Sequence, residues 1–216
     1  WIGGMGVLGF ILCLLPLTGG YHMNLMKAES PGPSVSKLVP KVQSTAKILY
    51  TIYIILTIVE IIFLLIGKMP LFDTLCLSFG TAGTGGFGVK NDSIASYSTY
   101  NQVVITVFMI LFGINFNAYY LLLTKKVMQA AKNEEVRYYL GIIGLAIVAI
   151  AINTREMFTS FGSAFQQAAF QVGSIITTTG YATTDFNVWP VFSKTILVIL
   201  MFVGACAGST GGGIKV

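Results

Sequence analysis

Thr84-Gly85-Gly86-Phe87-Gly88 and, 94 residues later, Thr178-Thr179-Gly180-Tyr181-Ala182 decide how this sequence is read. Each string follows a moderately apolar run, residues 71–80 before the first and 158–176 before the second. The first run is too short to cross a bilayer, and the second carries Gln166, Gln167 and Gln171. Both read as re-entrant half-helices. The span after each string has a similar interior, Leu111-Phe112-Gly113 and Phe202-Val203-Gly204, and Trp1-Ile2-Gly3 fits the end of an earlier copy. The repeating unit is therefore span, half-helix, Thr/Gly string, span.

The rest of the chain agrees with a membrane setting. Of 216 residues 55% are hydrophobic and 10% charged, against about 25% charged in a soluble domain. That excludes disorder, nucleic-acid binding through a basic patch, and an ordinary cytosolic enzyme. Spans are expected at residues 1–17, 46–66, 103–123, 138–152 and 191–206. Lys27, Lys37, Lys41 and Lys47 cluster in one loop, and Lys125, Lys126, Lys132 and Arg137 in another, with Lys215 at the end. The remaining loops balance their charges. The positive-inside rule places the basic loops in the cytoplasm and both strings on the outer side. Cys13, Cys76 and Cys206 lie in apolar runs as packing residues, and His22 stands without a cluster that would make a zinc site. Since the chain starts at Trp1 inside an apolar segment, it is expected to be an internal piece of a longer protein.

A half-helix running into Thr-x-Gly-aromatic-small suits a cation pathway. Successive carbonyls can replace an ion's hydration shell, glycine permits the backbone angles this needs, and the helix C-terminus aims its negative end at the ion. The aromatic can pack outward and hold the strand. The plainer alternative is a pair of extracellular turns rich in Thr and Gly. Downstream, Gly208-Ser209-Thr210-Gly211-Gly212-Gly213 should break the last span. It lacks the Gly-Lys-Ser/Thr of a phosphate loop. It is either a small-residue packing stretch or a flexible break lining a pore. Glu60 is an acid within a span and hence a functional candidate; the alternative is that, near the outer end of its helix, it reaches the interface or a polar partner. Asn115 and Asn117 either face a cavity or bond between helices. An intramembrane enzyme would need paired acids, a Ser/His pair or an HExxH helix, none of which this sequence supplies.

The segments Trp1-Ile-Gly-Gly-Met-Gly6, Thr84-Gly-Gly-Phe-Gly88, Thr177-Thr-Thr-Gly-Tyr181 and Cys206-Ala-Gly-Ser-Thr-Gly-Gly-Gly-Ile-Lys-Val216 resemble the membrane pore subunit of Trk/Ktr-type potassium uptake systems along the whole chain. The resemblance implies an all-α membrane protein of repeated span–pore-helix–span units around a central ion pathway. Residues 1–24 would be the second span of a truncated first repeat and 25–45 a cytoplasmic linker. Residues 46–128 and 129–216 would be the second and third repeats. The filter would comprise Thr84, Gly85, Gly86, Phe87, Thr178, Thr179, Gly180 and Tyr181, with potassium held by carbonyls of Thr84, Gly85, Thr178 and Thr179. Gly208, Ser209, Thr210, Gly211, Gly212 and Gly213 would form an intramembrane gate. The implied activity is potassium uptake across the bacterial inner membrane, with no covalently bound cofactor and potassium as substrate. The alternative is a sodium-permeable or sodium-coupled relative. The implied partners are membrane lipid, a second copy of the chain and a cytoplasmic nucleotide-binding regulatory subunit, without nucleic acid. By the same resemblance the chain is a fragment, with the first filter strand and the fourth repeat outside it.

Overall fold

A computed structural model describes residues 1–6, 42–124, 126, 128–129 and 133–214. Its helices in chain order are α1 (Val42–Ile66), α2 (Leu71–Ala82), α3 (Thr99–Phe112), α4 (Phe116–Leu123), α5 (Glu134–Asn153), α6 (Phe161–Ile176) and α7 (Val191–Val203). The expected linker at 25–45, Cys13 and His22 fall wholly or almost wholly outside the described residues. So does most of the first expected span, and its described part, residues 1–6, forms a turn instead of helix.

Helices α1 and α5 are long and apolar enough to cross a membrane. On α1 the exposed side chains Ile55, Ile58, Ile62 and Ile66 recur every three or four residues, as do Leu145, Val148 and Ile152 on α5. Such a stripe of aliphatic groups on one helix face is the surface that lipid tails accept. The opposite faces are packed. Tyr50, Tyr53, Leu64, Leu77, Phe108 and Phe112 form one core among α1, α2 and α3. Ile143, Ile147, Ile150, Val172, Ile176 and Leu197 form a second among α5, α6 and α7. The cores interlock, because Phe170 and Tyr181 from the second half of the chain are buried in the first cluster.

Local signals set the helix ends. Ser98, Asn133 and Ser160 accept hydrogen bonds from the N–H groups of Asn101, Glu135 and Ser163, capping α3, α5 and α6. Pro190 precedes α7 as Pro70 precedes α2. The half-helices expected at 71–80 and 158–176 are observed as α2 and α6. The latter starts three residues later, after a 3₁₀ turn at Arg155–Met157.

The expectation of one span over residues 103–123 is corrected. Helix α3 stops at Phe112, and α4 leaves at 89° to it. Two residues cause the corner. Asn115 accepts a hydrogen bond from the Asn117 N–H at 2.9 Å and so starts a new helix. Gly113 is wedged where a Cβ would collide with the Tyr139 hydroxyl. The last expected span, 191–206, ends as helix at Val203, and Gly204 turns the chain with φ +73°.

Candidate functional site

The two Thr/Gly strings adopt matching backbone conformations. Thr84 and Thr178 lie at φ +51° and +58°, and Gly86 and Gly180 at +72° and +90°. Positive φ is unusual for a β-branched residue, so each threonine is held there by its surroundings. Each hydroxyl donates to the carbonyl just before it, Thr84 to Gly83 at 2.8 Å and Thr178 to Thr177 at 2.7 Å. Each string also folds back on its half-helix: the Gly85 N–H reaches the Gly80 carbonyl at 2.7 Å, and the Thr179 N–H reaches that of Ser174 at 2.9 Å.

The strings lie against each other. A Cβ on Gly86 would collide with the Thr179 carbonyl oxygen, so only glycine fits at the crossing. The carbonyls of Thr84, Gly85, Thr178 and Thr179 accept no hydrogen bond among the described residues. Since backbone carbonyls are normally paired or wetted, these four, on two adjoining strands, are free to accept from water or from a ligand. The aromatics differ. Tyr181 is 1% exposed and donates its hydroxyl to the Leu77 carbonyl of α2 at 3.2 Å, whereas Phe87 is 88% exposed.

Hydrogen bonds tie the second string to the loop after the first. The Ala182 N–H donates to Ser93 Oγ at 3.2 Å, and its carbonyl accepts from the Ile94 N–H at 3.0 Å. Gln171 donates to the Thr184 carbonyl at 3.3 Å, and Gln167 accepts from the Thr183 hydroxyl. Gln167 and Gln171 of α6 thus anchor the segment leaving the second string. Nearby, Tyr97 donates to Asp73 at 2.7 Å. Burial first and that carboxylate second push its hydroxyl above the usual phenol range.

The glycine-rich segment 204–213 packs under both strings. The Thr84 hydroxyl shares its one proton between the Gly83 carbonyl and, at 3.1 Å, the Thr210 carbonyl, and the Gly212 N–H donates to Thr178 Oγ1 at 2.8 Å. A Cβ on Gly211 would meet the Thr177 carbonyl at 3.1 Å. The same segment fills the corner between α3 and α4. The Cys206 and Thr210 N–H groups donate to the carbonyls of Gly113 and Phe112 at 3.1 and 3.3 Å, and the Gly208 carbonyl accepts from the Phe116 N–H at 3.1 Å. Ser209 closes the loop on itself, its hydroxyl donating to the Cys206 carbonyl at 2.6 Å and accepting from the Gly211 N–H at 3.3 Å. Gly208 and Gly213 sit at φ +70° and +101°.

Three residues at this site escaped the sequence reading. Tyr53 and Tyr139, buried on α1 and α5, donate to the carbonyls of Trp1 at 2.8 Å and Ile110 at 3.2 Å. Each thereby covers a carbonyl near a break, and neither stood out in the sequence, since Tyr50 shares the span with Tyr53 and Tyr138 directly precedes Tyr139. Glu135 accepts from the Ala207 N–H and, at 2.9 Å, from the Asn115 amide. Of the asparagines, Asn115 bonds between segments through its side chain, and Asn117 joins it through its backbone. Glu60 is fully buried, with neither carboxyl oxygen hydrogen-bonded among the described residues.

Spanning helices, half-length helices ending in Thr/Gly strings, and non-helical backbone buried at a glycine break define an all-helical integral membrane protein. The chain belongs to the TrkH family of cation transport proteins, whose model matches residues 1–145 and 138–216. It is 37% identical over 224 residues to the Trk system potassium uptake protein TrkH of Vibrio parahaemolyticus, covering 100% of this chain and 46% of that protein. It is 34% identical over 220 residues to the Trk system potassium uptake protein TrkG of Escherichia coli, covering 100% of this chain and 45% of that protein. The crystal structure of the potassium transporter TrkH from Vibrio parahaemolyticus superimposes with a TM-score of 0.80 at 32% identity, over 100% of this chain and 44% of that one. The chain thus spans about half the length of the relatives it matches.

Proposed function

We propose that this chain contributes two filter strands and a gate to a potassium-uptake pore. The observation that carries the reading is the pair of adjoining strings with matching backbone and unengaged carbonyls, both seated on one glycine break. Carbonyls of Thr84, Gly85, Thr178 and Thr179 replace water around the ion, Gly86 and Gly180 allow the turn, and buried Tyr181 anchors the second strand, a role that exposed Phe87 does not play among the described residues. Residues 208–213 obstruct the path beneath. The process is transport without covalent chemistry, and potassium is cargo. The names of the relatives support potassium over the sodium-permeable alternative.

In this reading residues 46–128 and 129–216 are successive repeats, 1–24 ends a preceding one and 25–45 links them on the cytoplasmic side of a bacterial inner membrane. A second copy of the subunit and a cytoplasmic nucleotide-binding partner complete the system. The test is ion discrimination in the full-length protein. Gly180→Ser adds a hydroxymethyl group at a position where the structure leaves room but the backbone is left-handed. It should lower the rubidium-to-sodium flux ratio more than it lowers the folded yield. An unchanged ratio removes the filter assignment.

A further inference from the structure

The loop at 204–213 is held from three directions. The string threonines hold it from one side and the α3/α4 corner from another. The third holder is a single side chain at the start of α5, 72 positions away in sequence. Glu135 accepts from the loop's Ala207 N–H with one carboxyl oxygen and from the Asn115 amide with the other. The site specifies a carboxylate. Asn115 Oδ1 is committed to the Asn117 N–H, and the Phe116 N–H is committed to the Gly208 carbonyl. The Asn115 amide must therefore point its N–H₂ at residue 135, so two donors converge there and both oxygens must accept. A glutamine would set N–H₂ against N–H₂.

We propose that Glu135 is the latch of the gate, a positioning residue that keeps the loop in its obstructing position by joining Ala207 to the α3/α4 corner. This rests on the reading of 208–213 as a gate. Glu135 is only partly buried, at the N-terminal end of α5, where a movement of that end can release both bonds at once. Losing a hydrogen bond to a charged acceptor shifts a two-state equilibrium by on the order of tenfold.

The experiment is a charge swap in the full-length protein, read as rubidium flux per folded molecule in proteoliposomes without added nucleotide. Glu135→Gln sets donor against donor, and Asn115→Asp sets carboxylate against carboxylate. Each alone should raise flux roughly tenfold. Together they restore the geometry. The new carboxylate at position 115 still accepts from the Asn117 N–H and now also from the new amide at position 135. The carbonyl oxygen of that amide still accepts from the Ala207 N–H. The double variant should return to the parent flux. Single variants that lose folded protein with flux per molecule unchanged, or a double variant no closer to the parent than either single, would overturn the latch. If the single variants do not fold, Glu135→Asp, which withdraws the carboxylate by one methylene, is compared with the double variant, and equal flux overturns it as well. Deletion of residues 209–212 separates the gate from its latch. Raised flux on deletion with a silent Glu135→Gln leaves the gate and removes the latch, whereas unchanged flux per molecule on deletion removes both.

Discussion

The strings at 84–88 and 178–182 share a backbone and differ in what holds them. Tyr181 reaches back to the Leu77 carbonyl and lies 1% exposed in the core of α1, α2 and α3, while Phe87 stands 88% exposed. Gly86 is pressed against the Thr179 carbonyl, and nothing lies within 4 Å of a Cβ built on Gly180. Similar local sequence thus yields a matching turn, and the neighbours decide which residue in it is indispensable for packing. The first string depends on its glycine and the second on its aromatic.

The largest effect should follow from removing that aromatic. Tyr181→Ala is expected to cost about 3–5 kcal/mol, the range for truncating a fully buried ring, read as a fall in the thermal midpoint of the full-length protein in detergent. Phe87 draws no comparable burial from the described residues. A loss of the same size on Phe87→Ala would break the asymmetry and locate a covering surface outside them.

Glycine substitutions come next. Left-handed backbone costs a non-glycine residue roughly 1–2 kcal/mol, and that applies to Gly86→Ala and Gly180→Ala alike. Only Gly86→Ala adds the collision with Thr179, so its thermal midpoint should fall distinctly further. Equal shifts would contradict the crossing.

A smaller effect sharpens the seat of Tyr181. A Cβ on Gly80 would collide with the Tyr181 hydroxyl, while the next ring atom lies at 3.4 Å. Gly80→Ala should therefore destabilise the parent. In a Tyr181→Phe background the same change should be close to neutral, since the obstructing oxygen is gone and alanine favours helix by about 1 kcal/mol over glycine. Additive effects in this double-mutant cycle would remove the contact.

Much of this architecture was legible in the sequence. Residues 71–80 and 158–176 were too short or too polar to span, and they form α2 and α6. The strings and the glycine break stood out because glycine clusters and Thr-Gly-aromatic runs are local signals. The corner at 113–115 carried a signal as well, Gly113 followed by Asn115, yet an apolar run of spanning length outweighed it. Glu135 carried none. It sits among loop charges, and its partners Asn115 and Ala207 are 20 and 72 positions away. Only the tertiary fold reveals that two donors meet there.

The central claim is that the unengaged carbonyls of the two strings form one ion site. Anomalous diffraction from crystals of the full-length protein grown in rubidium tests it directly. The account predicts a rubidium peak within coordination distance of the carbonyl oxygens of Thr84, Gly85, Thr178 and Thr179, weakened in Gly180→Ser. Rubidium bound elsewhere in the pore, with no peak between the strings, would contradict it.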